Sequence, residues 1–162
     1  MQILINRFFI IIGLLFFIAC NNSSNSASAL VDLDLMKYNL PVKIKAPADA
    51  VVESNDLGFV QDVTVKGEGN YYVQIIGGTA TTFDIQAIKE NHINDVRRSD
   101  FFGEIIQEDD NGFIYQKKIS GDRINYDFRM IRIQGDQEFV FQSGLIGKYS
   151  LKDIERMYNA VK

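Results

Sequence analysis

One histidine, one cysteine and no tryptophan in 162 residues leave few side chains with which to do chemistry. His92 is the sole imidazole and so the sole conventional general base, but it follows Ile85 and Ile88 at helical steps, where a packing role competes with proton transfer. A zinc site needs several Cys or His ligands, and the chain has no second His and no Cys besides Cys20. Ser143 in "FQSGLIG" lacks the G-x-S-x-G setting of an exposed nucleophile. The acidic run "QEDDNG" invites a calcium reading. With Gly112 at loop position six, however, Gln107 falls at position one and Lys118 at position twelve, and both ligands the loop depends on fail. A solvated hairpin tip explains the run better. "GEGN" leads into a strand, so no helix N-terminus is there to hold a pyrophosphate. Carboxylate pairs for glycoside hydrolysis stay open, because acids are plentiful and their separation in space is not written in the sequence. No catalytic residue, metal site or cofactor is assigned, and binding is expected rather than catalysis.

What the chain does offer is aromatic surface, with 12 Phe and 7 Tyr. Tyr71, Tyr72, Tyr115, Tyr126 and Phe128 fall in strand-like segments. They are the candidate lining of an exposed sheet face that takes a partner or an apolar ligand, with Asp127, Arg129 and Arg132 as its polar rim. Core packing is the competing explanation.

The elements that must position these residues are short strands, one middle helix and one closing helix. In "PVKIKAP" Val42 and Ile44 alternate with Lys43 and Lys45. Ala50 to Glu53 reads as a brief strand or an extended loop. Phe59–Lys66 and Tyr71–Ile76 flank the turn residues Gly67 to Asn70, a hairpin. Ile85, Ile88, His92 and Val96 then recur at helical steps, Thr81 and Asp84 have capping-box spacing, and the helix is expected to end near Arg98. Glu104–Glu108 and Phe113–Ile119 flank "DDNG", whose Asn111-Gly112 pair is read as a turn of positive φ. Two more strands meet at Gln134 to Asp136, with Tyr126, Phe128 and Met130 facing one way and Asp127, Arg129 and Ile131 the other. "SLKDIERMYNAVK" closes the chain as an amphipathic helix capped by Ser150 with Asp153, burying Leu151, Ile154, Tyr158 and Val161. Strands with two isolated helices, and no βαβ alternation, predict an α+β fold. An antiparallel sheet of about six strands is expected, with both helices packed on it.

The composition is that of one globular domain, 46% hydrophobic and 23% charged. A net charge of −4 weighs against nucleic acid, which needs clustered Lys and Arg. At the start, Arg7 precedes an apolar run from Phe8 to Ala19, the layout of a secretory signal and too short for the roughly 20 residues of a spanning helix. Phe17-Ile18-Ala19-Cys20 resembles the bacterial lipobox, which implies that Cys20 is acylated and becomes the new N-terminus. Residues 1–19 are then a signal peptide and 20–34 a flexible tether, rich in Asn, Ser and Ala. Residues 35–162 are a single α+β domain. In some Gram-negative groups acidic residues just after such a cysteine direct the protein to the cell surface. None occurs between Asn21 and Leu30, which by that resemblance implies a periplasm-facing domain.

Over residues 35–162 the order of elements, from "YNLPVKIKAP" through the middle helix and meander to "LKDIERMYNAVK", looks like that of Mog1/PsbP-type domains. That resemblance implies a central antiparallel sheet sandwiched by helices, in proteins that bind or assemble more often than they catalyse. The expected function is a non-catalytic, lipid-anchored module of the cell envelope with an envelope protein as partner. The alternative is a carrier of a small apolar or lipid ligand held between sheet and helix.

Overall fold

A computed structural model of the chain describes residues 29–162. Cys20, the signal segment and most of the tether lie outside the described residues. Among the described residues nine strands form two antiparallel sheets. β1 (Leu30–Asp34) pairs with β2 (Lys43–Pro47). The larger sheet has seven strands in the order β3-β4-β5-β9-β8-β7-β6. These are β3 (Val51–Asp56), β4 (Val60–Gly67), β5 (Tyr71–Thr79), β6 (Phe102–Asp109), β7 (Gly112–Ser120), β8 (Arg123–Gln134) and β9 (Gln137–Ser143). Between β5 and β6 lies α1 (Ile85–Arg97), and the chain closes with α2 (Leu151–Ala160). Antiparallel sheets with two segregated helices are an α+β arrangement, but the main sheet has seven strands rather than about six.

Residues paired across neighbouring strands share a face. Met130 opposes Phe141 and Ile114 opposes Phe128, and these join Tyr71, Val73 and Ile75 in a core closed by Ile154, Met157 and Tyr158 of α2 and by Leu35, Leu40, Val42 and Ile44. Arg129 opposes both Phe113 and Gln142 on the other face, where Ile93 and Val96 of α1 pack on Phe113 and Tyr115. The two helices therefore cover opposite faces of one sheet. The predicted division of β8 holds: Tyr126, Phe128 and Met130 point to α2, and Asp127, Arg129 and Ile131 to α1.

Several local expectations change. The stretch 30–34, read as the end of a tether, is β1, because Leu33 opposes Ile44 and the strand completes a lid over the core. Val51–Asp56 is a full edge strand rather than a loop, its side chains mostly exposed. Asp84 itself is the N-cap of α1, accepting from the Ala87 amide at 3.0 Å, so Thr81 takes no part in a capping box. The hairpin at "DDNG" forms with Asp110 and Asn111 as its two turn residues, and neither they nor Gly112 has a positive φ. Gly112 begins β7, where an added Cβ would stand 2.6 Å from the Arg129 carbonyl oxygen and 2.8 Å from the Tyr158 hydroxyl. Close approach, not backbone handedness, requires glycine there. The capping box of Ser150 and Asp153 is formed as expected. At the far edge, β6 carries two register shifts, between Phe102 and Ile105 and between Ile105 and Gln107.

Candidate functional site

The five aromatics do not line one exposed face. Tyr71 is 2% exposed and donates its hydroxyl to the Lys45 carbonyl at 2.7 Å. Phe128 is fully buried and meets Tyr158 edge to face at 5.7 Å. Tyr115 is buried too, but on the α1 face. Only Tyr72 and Tyr126 are half-buried, Tyr72 beneath the Lys66 ammonium at 4.9 Å. The proposed rim also divides. Arg132 opposes Phe139 on the α2 face, where its guanidinium donates to the Val161 carbonyl at 2.7 Å and covers the Phe141 ring. It caps the end of α2, whereas Arg129 belongs to the opposite face. Alternation in β8 already separated position 129 from position 132. Burial assigned the aromatics to the core because their bulk is most stabilising there.

The α1 face carries the one assembly that invites a chemical reading. Asp127, 6% exposed, accepts from Tyr115 Oη at 3.0 Å, Lys117 Nζ at 3.0 Å, Ser143 Oγ at 2.6 Å and the Phe128 amide at 2.8 Å. The Arg129 guanidinium lies 3.4 Å away. Burial alone would raise the Asp127 pKa, but Arg129, Lys117 and the Ser143 hydroxyl together hold it below the usual carboxylate value. Two cations thus converge on one carboxylate, leaving an excess of one positive charge. Beside them Gln142 donates to Gln74 at 2.8 Å, and Gln74 to Asp62 at 3.0 Å, a polar row across β9, β5 and β4.

Above this row a cleft of about 450 Å³ opens between α1 and the sheet, lined by Ile76, Val140 and Phe102 on the apolar side and by Lys117, Arg129 and Gln142 on the polar side. His92 enters it from α1. Burial first, and the Arg129 charge second, lower its pKa, so the imidazole is neutral at pH 7. Asp95 and Ser99 stand in the same cleft. The Asp95 carboxylate is held by Arg98 at 3.2 Å and Ser99 Oγ accepts from the Phe101 amide. Among the described residues no hydrogen bond joins either to His92, so the relay a serine nucleophile needs is not formed. Sequence reasoning placed Asp127 and Arg129 at a rim, weighed Ser143 only as a nucleophile and did not single out Lys117 or Gln142. Only the register of β7, β8 and β9 brings them together.

Two of the three acids at the hairpin tip are neutralised from within. Glu108 pairs with Lys89 at 3.0 Å, and Asp109 receives the Tyr158 hydroxyl at 3.0 Å and the Lys162 ammonium. No group of three or more His, Cys, Asp or Glu among the described residues is placed to hold a metal ion. No helix among them is long and apolar enough to cross a membrane. In comparisons with known proteins, no family model, no curated protein and no solved structure matches the chain.

Proposed function

We propose that the chain is a non-catalytic binding module, tethered to the cell envelope through a lipid on Cys20 and facing the periplasm. Its ligand is a small, largely apolar molecule with an acidic group, held between α1 and the sheet. The observation that carries this reading is the α1 cleft, whose wall sets Arg129 and Lys117 against a single buried carboxylate beside Ile76 and Val140. An apolar body fits the aliphatic side and an anionic head replaces water on the guanidinium. A helix on each face of an antiparallel sheet is also the plan that the Mog1/PsbP resemblance implied, which supports that kinship as part of the proposal.

The test is binding of dodecanoate, an apolar chain with one carboxylate, by calorimetry on the purified chain. Arg129→Gln removes the charge while Lys117 still pairs with Asp127, and is expected to weaken binding about tenfold, the loss of one charge-assisted contact of roughly 1.5 kcal/mol. Equal binding by the variant, or none by the parent chain, sinks the reading.

A second reading, an envelope protein partner, is favoured by one observation. Leu57, Phe59 and Phe83 are exposed by 60%, 84% and 68% around the start of β4 and the end of β5. A photo-crosslinker in place of Phe59 should capture one reproducible envelope protein in cells; capture of nothing, or of everything abundant, removes this reading.

A further inference from the structure

β1 enters the fold at one particular end of the sheet. Leu30 opposes Pro47, whose ring packs on Gly67 at the close of β4, beside Tyr71 at the start of β5. The β9–α2 loop lies at that same end. Gly144 donates to the Tyr72 carbonyl at 2.9 Å, Asn70 reaches the Lys148 carbonyl at 2.9 Å, and Asn125 holds the Gly147 carbonyl at 3.1 Å. This well-fastened loop presents Leu145 and Ile146 almost fully to solvent, 82% and 87% exposed. Beside it the β7–β8 hairpin exposes Ile119 and Ile124 at 41% and 44%, with Lys148 and Arg123 among them and Asp122 at the turn.

Aliphatic side chains left in water cost free energy unless something covers them, and a fixed loop does not hide them by folding back. What covers them follows from chain length. Nine residues separate Cys20 from Leu30, a reach of at most about 35 Å. From Gly67 back to Val60 at the Phe59 end β4 runs about 25 Å, farther than the roughly 17 Å that a nine-residue Asn/Ser/Ala linker spans on average. A lipid at Cys20 therefore holds this end closer to the bilayer than the Phe59 end. We infer that Leu145 and Ile146 form a membrane-contacting tip that inserts into the lipid surface and fixes the orientation of the tethered domain. The inference rests on the proposed acylation of Cys20. Lys148 and Arg123 sit at headgroup depth, where cations are tolerated beside inserted aliphatics.

Because the chain contains no tryptophan, one introduced indole reports its own surroundings. The full chain carrying Ile146→Trp, recovered with its native acylation and reconstituted into vesicles of phosphatidylethanolamine and phosphatidylglycerol, is expected to show blue-shifted emission. Acyl-brominated lipids should quench it at least twofold more than Phe59→Trp at the opposite end. An Ile146→Trp chain that floats with the vesicles yet leaves its indole unquenched overturns the tip and leaves the anchor standing. A Cys20→Ser chain that still floats and is still quenched keeps the tip and discards the anchor. A chain with neither acyl groups nor quenching overturns both, and a blue shift that grows with protein concentration without vesicles reassigns the surface to a second copy.

Discussion

Asp127 is the residue on which the α1 face turns. It is an ion pair with two cations in a buried position, so removing the carboxylate leaves Arg129 and Lys117 facing each other without a counter-charge. Asp127→Asn is expected to lower unfolding stability by about 3–5 kcal/mol, read as a fall in the urea midpoint. The pH dependence has a definite sign. A carboxylate whose folded pKa lies below its unfolded value of about 3.9 contributes stability that is complete above that value and lost as pH falls through the folded one. Stability should thus ease as pH falls through about 6.5, where the lowered His92 pKa makes the unfolded chain the better proton binder, and drop further below about pH 5, with Asp109 and Asp153 adding to that acid limb because their pKa values are also lowered. In Asp127→Asn the acid limb should be shallower; an identical limb would show that the pairing contributes nothing.

At the scale of elements, the most legible segments were those whose signal is local. The closing helix was readable from Ser150, Asp153 and a clean apolar stripe, because capping and amphipathicity act within four residues. So was the alternation of β8. What could not be read were strands that exist only through partners. β1 reads "LVDLD", with two acids in five residues, and is a strand because β2 lies beside it. β3 is polar along much of its length and is held by the β4 ladder. The cleft was illegible for the same reason, since Lys117, Asp127, Arg129 and Gln142 come from three strands and meet only through register. Gly112 is instructive in the other direction, since the right residue was noticed for the wrong cause. Gly112→Ala is expected to cost about 1–3 kcal/mol through overpacking against Tyr158 and the Arg129 carbonyl. A loss of only a few tenths in thermal denaturation would show that β7 shifts freely.

For the whole molecule the first measurement is the intact mass of the protein from its native membrane fraction. A chain beginning at Cys20 and carrying acyl groups is expected, and Cys20→Ser should move the protein out of the membrane pellet. An unmodified chain, or one cleaved elsewhere, would remove the tether from the proposed function. The ends of the sheet then acquire distinct duties: one bears Leu145 and Ile146 beside the entry of β1, and the other exposes Phe59 at the far end of β4. The cleft lies between them, and Lys117 in its wall is opposite Asn125, whose side chain fastens the apolar loop.

The two register shifts in β6 bear on life in a crowd. A protein confined to a plane by a lipid meets its own copies at an effective concentration far above that of a dissolved chain. A seven-stranded sheet open at both edges is, in that setting, a standing invitation for one molecule to add its strands to the next. The bulges break the even ladder of β6, and Glu53 and Asp56 charge the opposite edge. Neighbours tethered as proposed would therefore brush past one another in the membrane plane without zipping into fibres.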